Sequence, residues 1–263
     1  MKKKILFACD LDNTLLVSHR CRQDGDVCVE LYQGREQSFL TRKAIELLRQ
    51  AVQLVELVPV TTRSIEQYKR IRWPEGCEPE LAVTTNGAVL LRRGMPDDAW
   101  AQQMKPSIDA WRDEMNAHCE RQSLSKDFIR CRIVDDSYLF LYCDEGVDAV
   151  AHADAFRLQT QLDVEHMGRK IYFFPPTVGK GKALARLRET RQDCYVCAAG
   201  DSTMDLPMLE VADRAFAERS LQGLVGENCL LQPEGAVFSE WMLEELFRMQ
   251  RSLYPKLNPA SLP

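Results

Sequence analysis

Short apolar runs that stop abruptly at a polar residue recur along this chain, and most are followed by a segment with apolar residues three and four apart. The runs are "KILFAC", ending at Asp10, "LVELVPVTT", ending at Thr61 and Thr62, and "CYVCAAGD", ending at Asp201. Runs so uniformly apolar have no face to offer water, so they predict parallel strands covered on both sides. The intervening segments predict helices: "RKAIELLRQAV" after an N-capping Thr41, "SIEQYKRI" capped by Ser64, "GKALARLRET" and "MDLPMLEVA". Strand and helix alternating in this way predict an α/β fold, a doubly wound parallel sheet of Rossmann-like type.

The rhythm breaks in two places. "VCVELYQGREQSFL" alternates around Gln33 and Gly34 and predicts a hairpin, as does "LAVTTNGAVLL" around Asn86 and Gly87. From about Leu90 to Phe174 the pattern changes altogether. It predicts helices at "SIDAWRDEMNAHCERQ" and "VDAVAHADAFRLQTQL" and strands at "RCRIV", "YLFLYC" and "RKIYFF". That mixture reads as a separate α+β unit inserted into the α/β core, with the core at 1–88 and 175–263 and the insertion at 89–174. "RAFAE" and "NCLLQ" then predict short strands, "FSEWMLEELFRMQRSLY" a closing helix, and "PKLNPASLP" a frayed end.

Composition narrows the functional classes. With 45% hydrophobic residues in 263, the chain can bury real cores. A formal charge of -5 and no basic block argue against nucleic acid held by counterion release. The apolar run of "MKKKILFAC" is shorter than the roughly 7 residues a secretory leader needs, and no segment approaches the ~20 apolar residues of a membrane span. The expectation is a soluble, cytoplasmic protein with a small-molecule partner. In that setting the ten cysteines read as reduced and packed, including the C-x-x-C pair Cys194 and Cys197. The four histidines have no ligand spacing.

In a parallel α/β sheet, ligands bind beyond the carboxyl ends of the strands. The predicted strands put Asp10, Asp12, Thr61, Asp201 and Asp205 there, and Lys180 opens a helix beside them. Carboxylates gathered at one point repel unless a cation neutralises them, and hard oxygen donors suit Mg²⁺. A lysine, a hydroxyl and a helix amino terminus are what a phosphate oxygen seeks. Each signal alone has a plainer reading: an Asx turn for "DLDNT", a solvated amine for Lys180, an N-capped loop for "GDSTMD". Their occurrence together, in order and at one sheet edge, points to phosphate chemistry.

"DLDNT", a Thr after the second strand, a Lys opening a helix, and "GD" with another Asp four residues on resemble the haloacid dehalogenase superfamily of phosphohydrolases. The insertion entered after "TTNGA" resembles the branch with a C2-type α/β cap, which includes the Cof-like hydrolases and the sucrose-phosphate and mannosylglycerate phosphatases. The resemblance implies that Asp10 is the nucleophile and Asp12 the general acid and base. It implies Thr61 or Thr62 and Lys180 as phosphate contacts. Mg²⁺ would then be held by Asp10, the Asp12 main-chain carbonyl and Asp201, with Asp205 direct or through water. "GDSTMD" departs from the family's "GDGxND" at Ser202 and Met204, Thr62 stands where Gly is frequent, and Lys182 competes with Lys180. The implied activity is hydrolysis of a small phosphorylated metabolite, a sugar phosphate foremost, through an aspartyl phosphate. The alternatives are a sugar phosphomutase of the same superfamily and a non-catalytic binder on the same scaffold. "VGKGKA" fails as a P-loop, having Pro176 and Ala183 where Gly and Ser or Thr are required. Arg130, Arg132, Tyr142 and Lys170 either line a substrate pocket or form a solvated strand face. Oligomeric state is not legible.

Overall fold

A computed structural model describes residues 5–191 and 193–253. Lys3 and Lys4 of the predicted first strand, Tyr254 of the closing helix and the tail from Pro255 lie outside the described residues.

The central sheet has five parallel strands in the spatial order Cys229–Leu231, Arg214–Ala217, Tyr195–Gly200, Ile5–Cys9 and Val55–Pro59. Ile5–Cys9 is the fourth of the five, flanked on both sides by Tyr195–Gly200 and Val55–Pro59, and every one of its residues is buried. Alternate side chains serve two cores. Leu6, Ala8, Val58 and Ala198 face one, and Ile5, Phe7, Cys9 and Leu57 face the other with Ala44 and Leu48 of the helix Arg42–Ala51. This two-sided burial is why the strand sequences carry no polar alternation. Phe7, wholly buried against Phe216 with ring centroids 6.3 Å apart, contributes roughly 1.5–3 kcal/mol by leaving water.

Capping follows the sequence closely. Thr41 Oγ1 accepts from the Ala44 amide at 2.9 Å, and Ser64 with Gln67 closes a reciprocal capping box on the helix Ile65–Lys69. The hairpin Val27–Tyr32 and Arg35–Leu40 turns at Gln33 and Gly34, both with positive φ, and is extended by Val17–Ser18. The strand Leu81–Thr84 continues the edge of the central sheet through a parallel bridge from Val83 to Val60 and pairs with Val89–Arg92.

A second sheet has four antiparallel strands in the order Asp163–Met167, Lys170–Phe174, Tyr138–Cys143 and Phe128–Val134. Its edge strand Asp163–Met167 does not stand out in the sequence because "DVEHM" mixes acidic and apolar residues. The long helix expected over "SIDAWRDEMNAHCERQ" is two helices, Asp98–Asp109 and Arg112–Ser123, separated at Ala110 and Trp111. Trp111, with φ -109° and ψ 1°, leaves helical geometry there. Cys194 precedes the strand Tyr195–Gly200 rather than belonging to it, and it forms no disulfide with Cys197. No described helix is long and apolar enough to cross a membrane.

Candidate active site

The carboxyl edge of the central sheet gathers the acids. Asp10 directly follows Ile5–Cys9, its amide held by the Ala199 carbonyl at 2.9 Å, and Asp201 follows Tyr195–Gly200 on the adjacent strand. A one-turn 3₁₀ segment, Thr203–Asp205, brings Asp205 back under both. One carboxylate oxygen from each of Asp10, Asp201 and Asp205 lies within 4.8 Å of the others. Lys180, the first residue of the helix Lys180–Glu189, reaches in among them: Nζ donates to Asp10 Oδ1 at 2.5 Å and to Asp205 Oδ1 at 2.6 Å. Lys180, Asp10 and Asp205 are all at least 95% buried.

Close backbone approach makes this geometry possible. A Cβ on Gly200 would sit 2.3 Å from the Cβ of Asp205, and one on Gly181 would sit 2.4 Å from the Pro207 carbonyl oxygen. Only glycine lets the two chain segments that carry Asp205 and Lys180 close to this distance.

The electrostatics follow from burial and crowding. Burial raises the Asp10 carboxyl well above its ordinary range, Lys180 opposes that rise, and Asp205 and Asp201 add to it. Asp201 is pushed up to about 6, by burial first and by Asp205 second. Lys180 is raised despite its burial, because the Asp10 and Asp205 charges more than offset the cost of desolvation. Three acids with a single ammonium leave negative charge in excess, and an all-oxygen donor set of this kind fits a hard divalent cation such as Mg²⁺.

Asp12 is directed elsewhere. Its carboxylate is gripped by Arg63, with Nε to Oδ2 at 2.8 Å and Nη2 to Oδ1 at 2.7 Å. Burial alone would raise the Asp12 carboxyl, but the hydrogen bonds and charge of Arg63 outweigh it and hold the group below its ordinary range. Arg63 also donates through Nη1 to the buried Glu30 at 2.8 Å and through Nη2 to Ser38 at 3.0 Å, and Arg70 reaches the other Glu30 oxygen at 3.0 Å. The hairpin carrying Glu30 and Ser38 is thereby tied to the same arginine as Asp12.

Thr61 is fully buried, with its amide on the Val83 carbonyl and its hydroxyl accepting from the Arg63 amide at 3.2 Å. Thr62 is half-buried, and its carbonyl accepts the Tyr138 hydroxyl at 2.9 Å. Lys182 is exposed and donates to the Pro176 carbonyl, away from the acids that hold Lys180. Sequence reasoning had no signal for Arg63, Glu30 or Ser38, because no spacing reveals which hairpin folds back on which loop. Two polar helpers lay inside quoted motifs: Thr14 donates to Asp201 Oδ1 at 3.1 Å, and Ser202 holds Asp205 Oδ2 through its amide at 3.0 Å and its hydroxyl at 2.8 Å.

No family model matches the chain and no curated protein is similar to it in sequence. Solved structures do match over nearly the whole length. A sucrose-phosphatase from Synechocystis, solved with sucrose and phosphate, is 16% identical, with 94% of this chain and 98% of that one covered and a TM-score of 0.67. A trehalose-6-phosphate phosphatase related protein is 15% identical, with 94% and 99% covered and a TM-score of 0.58. A phosphatase of the haloalkanoate enzyme superfamily from Bacteroides thetaiotaomicron is 14% identical, with 94% and 95% covered and a TM-score of 0.57. With the five-stranded parallel sheet, the additional antiparallel sheet and these likenesses together, the chain has the fold of the haloacid dehalogenase-like phosphatases.

Proposed function

We propose that the protein is a Mg²⁺-dependent phosphomonoester hydrolase for a small phosphorylated metabolite, working through an aspartyl phosphate on Asp10, with residues 89–174 as a cap over the site. The observation that carries this reading is the buried convergence of Asp10, Asp201, Asp205 and Lys180 at the carboxyl edge of the sheet.

The residues divide the work as follows. Asp10 Oδ1 is occupied by Lys180, so Oδ2 is the oxygen left to attack phosphorus. As the Asp10 O–P bond forms, the ester P–O bond breaks, and Asp12 in its protonated form gives that proton to the departing alkoxide. Asp12, now a carboxylate, takes a proton from the water that attacks phosphorus, and the Asp10 O–P bond breaks to release inorganic phosphate. Lys180 and the Thr61 hydroxyl hold the equatorial phosphoryl oxygens. Mg²⁺, when bound, supplies charge that offsets the build-up on those oxygens. Asp10, Asp201 and the Asp12 main-chain carbonyl would hold it. Asp205, whose oxygens Lys180 and Ser202 engage, would hold it directly or through water.

The similar structures include a sucrose-phosphatase solved with sucrose and phosphate and a trehalose-6-phosphate phosphatase related protein, which makes a phosphorylated carbohydrate the first substrate class to try. The test is phosphate release from a panel of sugar, sugar-acid and nucleotide monophosphates, with Mg²⁺, with EDTA and in the Asp10→Asn variant. Turnover that needs both Mg²⁺ and Asp10 supports the proposal. Isomerised sugar without phosphate release would favour a mutase, and ligand binding without turnover a non-catalytic role.

A further inference from the structure

The four-stranded sheet of the inserted unit has two unlike faces. Leu139, Leu141, Ile171 and Phe173 are fully buried on one, with Phe173 packed on Phe156 and His118 of the covering helices at ring-centroid distances of 5.1 and 5.2 Å. The register puts quite different residues on the other. Arg130, Tyr142 and Lys170 stand side by side across three strands, and Arg132, Phe140 and Tyr172 form the next row. Directly paired residues on antiparallel strands share a face, so these six side chains make one surface.

That surface looks toward the acids. Tyr138, on the same face, donates its hydroxyl to the Thr62 carbonyl, and Phe174 lines a cavity of about 360 Å³ with Asn86, Gly179 and Lys180. Lys170, Tyr172 and Phe174 alternate along one strand, so Lys170 and Tyr172 stand on the face that Phe174 presents to this cavity.

The charges on this surface are unbalanced. Among the described residues, neither Arg132 nor Lys170 has an ion-pair partner, and Arg132 has only the Phe140 ring, 5.9 Å from its guanidinium carbon. Arg169 nearby is different, with the Tyr142 hydroxyl at 2.8 Å and Glu145 at 3.7 Å. Glu165 is the acid of the second row, but it sits beyond Tyr172, three strands from Arg132, and makes no ion pair with Lys170. Cations set over an aromatic bed with no anion between them repel one another, and the rings lower the local dielectric that would otherwise screen them.

We propose that the leaving group of the substrate carries a second anionic group, a carboxylate or another phosphate, held between Lys170 and Arg132 over Phe140 and Tyr172. This rests on the hydrolase reading and makes it more specific: the substrate is a sugar-acid phosphate or bisphosphate in character rather than a neutral sugar monophosphate. The aromatic rings supply the apolar contact for the carbon skeleton, and the two cations fix its far end.

The test compares equilibrium binding of glucose 6-phosphate, 6-phosphogluconate and fructose 1,6-bisphosphate to the Asp10→Asn protein with Mg²⁺. At least one of the two doubly functional ligands is expected to bind about tenfold more tightly than glucose 6-phosphate, the size of one charge-assisted contact. Whichever of the two it is identifies the second anion. The preference should shrink toward unity in Lys170→Met and in Arg132→Gln, both exposed positions where folding is not at stake. Equal or tighter binding of glucose 6-phosphate, no binding of either doubly functional ligand, or a preference that survives the double variant overturns the proposal. Absence of turnover by the wild-type protein on every ester would instead strike at the hydrolase reading and leave this comparison of affinities standing.

Discussion

Arg63 closes on Asp12 through two parallel hydrogen bonds of 2.8 and 2.7 Å, while its third nitrogen rests on the buried Glu30. The pair orients Asp12 before substrate arrives and, by lowering its pKa, keeps the protonated form that serves as the acid a minority. A general acid must be protonated to act, so kcat/KM declines as pH rises through the Asp12 pKa. Arg63 depresses that pKa, and its removal raises it. Arg63→Gln is therefore expected to move the descending limb of the kcat/KM profile to higher pH. The same change strips Glu30 of one of its two arginines, and losing a partner of a buried charge costs about 3–5 kcal/mol, visible as a lowered denaturation midpoint.

Gly200→Ala tests the close approach that seats Asp205. The new methyl group would meet the Asp205 side chain at 2.3 Å, so the carboxylate must shift from Lys180 and Ser202. Calorimetric titration with Mg²⁺ should show affinity falling by about tenfold or more. Unchanged affinity would mean that Asp205 has no part in holding the ion.

Metal affinity should depend on pH in a defined direction. Asp201 titrates near 6 in the folded protein, above its unfolded value near 3.8. A raised acid stabilises the fold fully only below the unfolded value, and that contribution is lost as pH climbs from about 4 to 6. A bound cation reverses this by favouring the ionised form. The rise in Tm produced by Mg²⁺ is thus expected to be larger at pH 7 than at pH 5, measured by thermal scans at fixed ion concentration. An equal rise at both would argue that Asp201 does not face the metal.

Asp135, at the turn between Phe128–Val134 and Tyr138–Cys143, ties the antiparallel sheet to the segment after Thr61. Asp135 Oδ2 accepts from the Thr85 hydroxyl at 2.6 Å and from the Ile65 amide at 2.9 Å, at the start of the helix that follows Arg63. Asp135→Ala removes both and is expected to cost roughly 1–2 kcal/mol of stability. Because that loop also carries Thr61, KM should rise as well. A drop in stability with KM unchanged would confine Asp135 to a scaffolding role.

The sheet and the acids were legible in the sequence because each depends on local pattern. Uniformly apolar runs ending at Asp10, Thr61 and Asp201 could hardly be anything but buried parallel strands, and their polar terminators had to share an edge. What escaped depends on tertiary contact. Arg63 looked like one more arginine after Thr62, and nothing local tied it to Glu30, which lies on a hairpin 33 residues earlier. The edge strand Asp163–Met167 escaped because its mixed composition gives no period. The break at Trp111 escaped because the flanking segments are both good helix formers. Arg130, Arg132 and Lys170 were visible as basic residues, but only the strand register shows that they stand on one face.

The most direct measurement on the covalent role of Asp10 is to quench the protein with acid during turnover, reduce it with borohydride and map the peptide containing residues 5–16 by mass spectrometry. Reduction of an acyl phosphate converts the aspartyl residue to homoserine. Homoserine at position 10, dependent on both substrate and Mg²⁺ and absent when either is withheld, is the expected result. An unaltered Asp10 in protein that is releasing phosphate at full rate, or homoserine at position 12 instead, would contradict it.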